Sequence, residues 1–515
     1  MSTISDPQQR SFRLSMLIND TRYRGITFQV IALIALIAAM AYLGMNLIAN
    51  LTAAGLNISY EFLGEPSGYD INQRPIEYDS QSSHMRAAMV GIINTLIVAF
   101  LACVTATILG IVAGVLRISN NWVVSKLMAV YVEAFRNVPV LIWILIIFSV
   151  MPVSLPAPNA YRGTDPDSSM LLGSVAFTNR GVYVPEPILG PGGGLLLVVL
   201  VASIIGVIAY RRYATKTLYD TGRLLPMGWP SLAILIVPSL IVWLAFSLTV
   251  GGARNTVLVP EGAAANLSLS EWVNEQGRAT LCQVSGSSSA VVAKNALLRE
   301  RAARLNGPVD DRVDIRVGSN DVATRADAIA AFEGGSCDVL VLPPAEAAAV
   351  TTGVALSTQL REGRPIELDP PYLSGFNFTD GITVRGSLIA LWLALAIYTG
   401  AFIAENVRAG IQAISKGQTE AAASLGLRPN RIMSLVVLPQ ALRVIIPPLI
   451  SQYLNITKNS SLAIAVGYMD ITGTLGGITL NQTGRELECL LLLMLIYLTI
   501  SLSISAVMNV YNNSV

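Results

Sequence analysis

Apolar runs dominate the chain and set its layout. Stretches at about 26–50, 87–116, 193–210, 230–250, 384–406, 437–468 and 487–509 approach or exceed the ~20 residues that a helix needs to cross a bilayer. One more apolar run ends near residue 152, after an amphipathic start holding Lys126 and then Tyr131 to Pro139. The pattern predicts an all-α polytopic membrane protein of about eight spans. Pro447 and Pro448 predict a break in the seventh of them.

Polar stretches divide the runs. Residues 51–85 carry Glu61, Glu65, Asp70, Glu77 and Asp79 against Arg74 alone, and 153–192 are rich in Pro, Gly and Ser. Arg10, Arg13, Arg22 and Arg24 mark residues 1–25 as a tail, not a cleavable signal peptide. Basic residues also fill the 117–126 turn, a loop holding Arg211, Arg212, Lys216 and Arg223, and the 408–431 connection. Arg and Lys in short loops choose the inner side, so both termini are expected in the cytoplasm and loops 51–85 and 153–192 outside. The chain then divides into a tail at 1–25, five spans over 26–250, an outside insertion at 251–383 and three spans over 384–515.

The insertion changes period. Ala279–Val284, Val313–Val317 and Cys337–Leu342 read as strands, and Val291–Leu305 and Ala326–Phe332 as helices. Between the first strand and helix, Ser285–Ser289 is a turn whose serines can cap. The alternation predicts a small parallel sheet.

Composition fits a membrane protein: 53% hydrophobic, 13% charged, mean hydropathy +0.57. A net charge of +1 gives no basic face for nucleic acid. No Gly-x-x-x-x-Gly-Lys-Ser/Thr phosphate loop occurs, so any ATP and Mg would be bound by another chain, and no cofactor is expected here. The single His84, expected at the surface or membrane border, cannot build a metal site, and no nucleophile–base set is present. An enzyme is therefore disfavoured. Cys103 and Cys489 lie in apolar runs and read as inert buried thiols. Cys282 and Cys337 lie in the outside insertion, where oxidation favours a disulfide worth roughly 3–5 kcal/mol. Two free thiols at adjacent strand edges are the alternative.

One polar stretch stands out. Thr419-Glu420-Ala421-Ala422-Ala423-Ser424-Leu425 favours a helix, and Gly426 can take the left-handed conformation that ends it. Pro429 can then open the next helix, which becomes apolar at Val436-Val437-Leu438-Pro439. Inside the spans, Glu133 and Arg136, and Glu405 and Arg408, are spaced to share helical faces and read as structural ion pairs. Asn455, Thr457, Lys458, Asn459, Ser460 and Ser461 crowd one span. They either line a solute passage or anchor helices, with Lys458 paired to Glu405 or Glu133.

The run Glu420-Ala421-Ala422, then Gly426, Val436 and Leu438-Pro439, resembles the EAA loop of ABC importer permeases at every spacing. Asn94-Thr95-Leu96, Glu133 to Pro139, Ile403 to Gly410 and Gly417 to Ala422 resemble the polar amino-acid (histidine/glutamine/arginine) permeases. The extra first span and the Asn57-Ile58-Ser59-Tyr60 loop look most like the longer general L-amino-acid permeases of Aap and Bzt type. The resemblance implies a type I importer core of five spans plus three extra, in a bacterial inner membrane. It implies a second permease chain in a heterodimer, two cytoplasmic ATPase subunits and a periplasmic amino-acid-binding protein. It implies ATPase coupling through the loop at 410–439, with Gly417, Glu420, Ala421, Ala422 and Gly426 at the contact. The insertion, with its cysteine pair, resembles part of one lobe of a periplasmic amino-acid-binding protein, which suggests docking or scaffolding. The other readings are an ATP-independent channel or ion-coupled amino-acid carrier, and a membrane receptor. A receptor would need an intracellular output domain, for which the tails are too short.

The charge pattern yields a direct test. A single cysteine placed at Arg428 in a cysteine-free chain is expected to resist an impermeant thiol reagent in intact cells and to react in inverted vesicles. Labelling from the outer side would overturn the topology.

Overall fold

The computed structural model describes residues 21–53, 55, 58–163, 166–223, 225–250, 253–262, 267–305 and 315–514. Arg10 and Arg13 of the expected tail, and Val313 and Asp314 of the expected second strand, lie outside the described residues. Seven helices among them are long and apolar enough to cross a membrane, and a bent pair adds an eighth candidate. The long helices are α1 (Thr21–Ala53), α2 (His84–Arg117), the bent pair α3 (Trp122–Asn137) and α4 (Val140–Ser154), α5 (Gly193–Thr221) and α6 (Gly228–Ala245). The insertion holds α7 (Leu269–Gln276), α8 (Ser288–Leu305) and α9 (Arg325–Glu333). Then come α10 (Gly386–Gln412), the short α11 (Lys416–Ser424), α12 (Leu438–Asn459) and α13 (Glu486–Ser514).

α2 and α10 form the spine of the membrane core. Their contact is built from small residues: Ala102, Ala106, Gly110 and Gly114 recur every four positions on α2. A Cβ on Gly110 would lie 2.5 Å from Ile403, and one on Gly114 would lie 2.7 Å from the Ala404 carbonyl oxygen. Small residues at such a seam let two backbones approach where lipid offers no hydrophobic drive. α4, α12 and the end of α3 pack around this pair through Val132, Ile144, Ala441 and Ile445. α5 pairs with α6 beside the core, and α1 is exposed along almost its whole length.

Three expectations change. The third span is two helices, bent by 103°. Val138, before Pro139, is extended (φ −110°, ψ 132°), because a proline ring disfavours the helical conformation in the residue preceding it. The seventh span is not broken at its prolines: α12 runs through Pro447 and Pro448 and then tightens to a 3₁₀ segment over Ser460–Val466. Neighbouring helices let membrane helices tolerate such prolines. The basic residues Arg211, Arg212 and Lys216 lie on α5, which continues to Thr221 and stops at Gly222 (φ 68°), rather than in a loop.

Outside the membrane, the stretch at 153–192 is more ordered than its Pro- and Gly-rich composition suggests. It forms β1 (Ala176–Thr178), β2 (Gly181–Val184) and β3 (Glu186–Leu189). The insertion adds β4 (Ala253–Pro260), β5 (Arg278–Val284), β6 (Arg316–Val322), β7 (Val339–Leu342) and β8 (Gly353–Glu362). It ends with β9 (Ile366–Asp369), β10 (Tyr372–Ser374), β11 (Asn377–Thr379) and β12 (Ile382–Arg385). β2 pairs with β12 and β3 with β9, so loop and insertion are sewn together.

The main sheet has the order β6-β5-β7-β4-β8. β6, β5, β7 and β8 share one direction and β4, between β7 and β8, alone runs against it, so the sheet is mixed rather than parallel. Cys282 on β5 is bonded to Cys337, with Cα atoms 5.5 Å apart. His84 is buried, not at the surface, with Nδ1 3.1 Å from Thr479 Oγ1. Cys489 is buried and Cys103 half-buried.

A buried cation fastens α8 to the strands and turn that lead into α10. Lys294 on α8 is 2% exposed and its Nζ donates to Asp369 and Asp380. It also lies 5.7 Å from the ring centroid of Tyr372. Burial alone would lower its pKa; the hydrogen bonds of Asp369 and Asp380 outweigh that and hold it above the ordinary value. A raised folded pKa stabilises the folded state fully below the unfolded Lys value of about 10.4, and that contribution fades as pH rises through the folded value. The cluster therefore persists across neutral pH.

Lys294→Met, which strands two carboxylates, is expected to destabilise the chain by about 3–5 kcal/mol. Replacing all three residues by apolar ones is expected to recover most of that loss. Denaturant melting of the purified full-length chain, followed by the change in mobility of the Cys282–Cys337 bonded form, reads both.

Candidate functional site

The candidate knuckle begins at Lys416, after a connection of three residues from the end of α10. α11 closes as the sequence predicts. Leu427 N–H donates to Ala422 O at 3.3 Å, and Gly426 N–H to Ala423 O at 2.9 Å. Gly426 is left-handed (φ 79°), and Leu427 packs back on Ala422. These two bonds and that contact make a Schellman closure. Pro429 then opens a short helix, Pro429–Ile432, which runs through a π segment, Met433–Val437, into α12.

The knuckle has an inner and an outer face. Ala422 is buried against Ile432 and Val437, and Ile411 and Ile414 from the end of α10 complete this small core. Gly417, Glu420, Ala421 and Gly426 are exposed. Leu425, at the tip, is 83% exposed. Of the five candidate contact residues, then, Ala422 holds the corner together while the other four face outward.

Above the knuckle, charges gather where α2, α3 and α10 meet. Glu405 accepts from Arg117 Nη1 and, at 3.1 Å, from Arg408 Nε. The Glu405–Arg408 pair is therefore present, and Arg117, which sequence spacing did not link to it, is its second partner. The expected Glu133–Arg136 pair is not formed. Glu133 lies 3.9 Å from Arg117 and is largely exposed, while the Arg136 guanidinium sits 5.1 Å from the centroid of the Phe402 ring. An aromatic face on the neighbouring helix competes for the guanidinium that helical spacing alone would give to Glu133. A basic last residue of one span and an acid in another are the only trace that Arg117–Glu405 leaves in sequence.

The polar cluster on α12 divides in two. Ser460 is buried and donates to Thr457 O at 2.7 Å. Asn455 and Lys458 are exposed, and Asn459 is half-buried. Among the described residues Lys458 makes no ion pair. The anchoring pairs with Glu405 or Glu133 are not formed, and both carboxylates lie against Arg117 instead. Pro447, Ser451, Asn455 and Lys458 recur every three or four residues and form one exposed stripe along α12.

A polar collar joins four segments at the sheet end of the bundle. Asn94 Nδ2 donates to Gln73 O and Met469 O, both at 2.9 Å, and Gln73 Nε2 donates to Thr383 O at 3.1 Å. A mouth of about 350 Å³ opens there between Asn72, Arg180, Arg385, Phe148 and Gly467. Neither collar nor mouth was visible in sequence, because their residues come from six separate segments.

The two faces of α11 can be told apart by substitution. Ala422→Leu overfills the knuckle and is expected to cost about 1–3 kcal/mol, whereas the exposed Ala421→Leu is expected to leave stability unchanged. Thermal melting of the purified chain separates the two.

Comparison with known proteins agrees with this architecture. The model of the family "binding-protein-dependent transport system inner membrane component" matches residues 348–515, which hold α10 to α13 and the knuckle. The glutamate/glutamine/aspartate/asparagine transport system permease BztB of Rhodobacter capsulatus is 41% identical, over 100% of this chain and 99% of its own length. The general L-amino acid transport system permease AapQ of Rhizobium johnstonii is 32% identical over 98% of this chain and 94% of its own. The putative amino-acid ABC transporter permease YhdX of Escherichia coli is 32% identical over 96% of this chain and 94% of its own. With full-length relatives of this kind and a membrane core to match, the chain belongs to the amino-acid ABC transporter permeases of Aap and Bzt type.

Proposed function

We propose that this chain is one permease of an ATP-driven importer of polar and general L-amino acids. It receives solute from a periplasmic binding protein and couples to cytoplasmic ATPases through α11. The observation that carries this reading is the outward face of the knuckle. Glu420, Ala421 and Gly426 stand clear of their own bundle, and Leu425 is 83% exposed at the tip. A single exposed leucine is ordinary by itself, but this one tops a protruding corner that we read as the seat of a partner. The adjacent small side chains let that partner's backbone approach. ATP and Mg are bound by the ATPase pair, not by this chain.

The exposed stripe of Pro447, Ser451, Asn455 and Lys458 supports a passage shared with a second permease in a heterodimer. Polar and charged groups facing lipid are expensive; facing a second bundle across a wet solute path, they meet carboxylates and amines. Asn459 borders the same path, and Ser460 shapes the helix behind it. The orientation that fits is a cytoplasmic knuckle with the sheet in the periplasm. An ATP-independent channel or ion-coupled carrier would have no use for the knuckle.

Gly426→Val is the test. A Cβ at Gly426 meets nothing within 4 Å, so the substitution costs only the left-handed strain of about 1–2 kcal/mol. The expected outcome is a complex that assembles and hydrolyses ATP but no longer imports amino acid in proteoliposomes. Failure of the wild-type chain to co-purify with an ATPase, or full coupling in the variant, would overturn the reading.

A further inference from the structure

The outer domain carries a cavity that transport through the membrane does not use. It lies at the carboxyl ends of β5 and β7, has a volume of about 320 Å³, and is lined by Gln283, Ser287, Ser289, Thr324 and Arg325 above an apolar floor. The topology makes this crevice. From β5 the chain crosses through α8 to β6 on one side, and from β6 it crosses through α9 to β7 on the other. Strand order reverses at β5, and open sheets of this kind leave a ligand crevice at the carboxyl ends of the strands where that happens.

Donors converge on one end of the crevice. The first turns of α8 and α9 open at it, where N–H groups lack helical partners. Ser287 Oγ caps Ala290 N–H at 3.3 Å, and Thr324 Oγ1 caps Asp327 N–H at 3.2 Å. The N–H groups of Ser288 and Ser289, and of Arg325 and Ala326, remain at the helix starts. Arg325 uses Nη1 to meet Glu346 at 2.7 Å, which leaves the other edge of its fork. Helix starts and a guanidinium together favour a carboxylate.

An acceptor faces them. Gln283 is 8% exposed, its Nε2 donates to Asp321, and its buried Oε1 has no hydrogen-bond partner among the described residues. A buried carbonyl oxygen left unpaired costs about 1–3 kcal/mol. A donor from a ligand would remove that cost, and the Asp321 carboxylate beside it favours a cationic donor. A site with a carboxylate-binding end and an ammonium-binding end, of a volume near the lower limit for small-molecule pockets, fits a small zwitterion.

We infer that this crevice binds a free α-amino acid, with its carboxylate at the starts of α8 and α9 and its ammonium at Gln283 Oε1. The inference goes beyond the transport reading: it concerns a second amino-acid site on the permease itself, outside the membrane path.

Equilibrium binding of radiolabelled L-glutamine and L-glutamate to the full-length chain in nanodiscs, with no binding protein present, tests it. Saturable binding is expected. Unlabelled amino acid should compete, and acetate or butylamine alone should not. Gln283→Leu removes the acceptor and Ser289→Asp repels the carboxylate; each is expected to weaken binding by roughly tenfold or more. A negative charge in the first turn of a helix favours that helix, so Ser289→Asp keeps α8 folded. Retention of the Cys282–Cys337 bond reports the fold in both variants. No saturable binding up to millimolar amino acid, competition by acetate alone, or unchanged binding in both variants would overturn the inference. Uptake by the assembled wild-type transporter, measured alongside, tests the permease reading separately.

Discussion

The near-contact of the α2 and α10 backbones is the constraint on which the membrane core depends. In lipid, apolar side chains gain nothing by leaving one apolar surface for another, so helices associate through packing and polar contacts. Here that packing is possible only because Gly110 and Gly114 leave no Cβ to meet Ile403 and Ala404. With the spine closed, α4 and α12 find a fixed surface. Tyr131 from α3 then reaches across to donate to Ile397 O at 2.8 Å. The Arg117–Glu405 bond exists only because the same seam brings the end of α2 alongside α10.

α10 connects everything else. Its first residue, Gly386, follows the last strand residue, Arg385, without a loop, and Arg385 is its N-cap. Three residues separate its last residue, Gln412, from the start of α11 at Lys416. At 1.5 Å per residue its 27 residues span roughly 40 Å, the thickness of a bilayer with its headgroups. One end is tied by β12 to β2, and through Asp380 to the Lys294 cluster. The other end supplies Ile411 and Ile414 to the small core that holds Ala422 and the knuckle. One helix therefore joins the sheet at one end to the knuckle at the other.

What sequence disclosed and what it hid follow from the range of the interactions. The spans are legible because each apolar run is its own evidence, and the knuckle because Gly426 and Pro429 act on their nearest neighbours. The turn at Val138–Pro139 was also local, yet the apolar run beyond it masked a bend of 103°. The pairing of β2 with β12 joins residues about two hundred positions apart in strands of four residues each, too short to carry a periodic signal. Glu133 and Arg136 failed as a pair for the same reason. Helical spacing gave the opportunity, and Phe402, far away in sequence, gave Arg136 a better position.

The outward polar stripe of α12 has a physical consequence for the free chain. Lys458 and Asn455 are exposed near one end of α12, and none of the described carboxylates is within ion-pair reach of Lys458. In a bilayer such groups reach for the headgroups, draw in water or find a partner helix. Asn455 and Lys458 lie 17 and 20 residues into α12, near its outer end, so snorkelling relieves Lys458 more readily than Asn455. The relief for Asn455 must come from water or another chain. A permease alone in the membrane is therefore wet along this face, and a second bundle laid against it would enclose that water instead of excluding it. An enclosed, hydrated, polar seam between two bundles is what a zwitterionic solute requires. On the proposed reading, the residues that make the isolated chain costly are the ones that line the passage of the assembled pair.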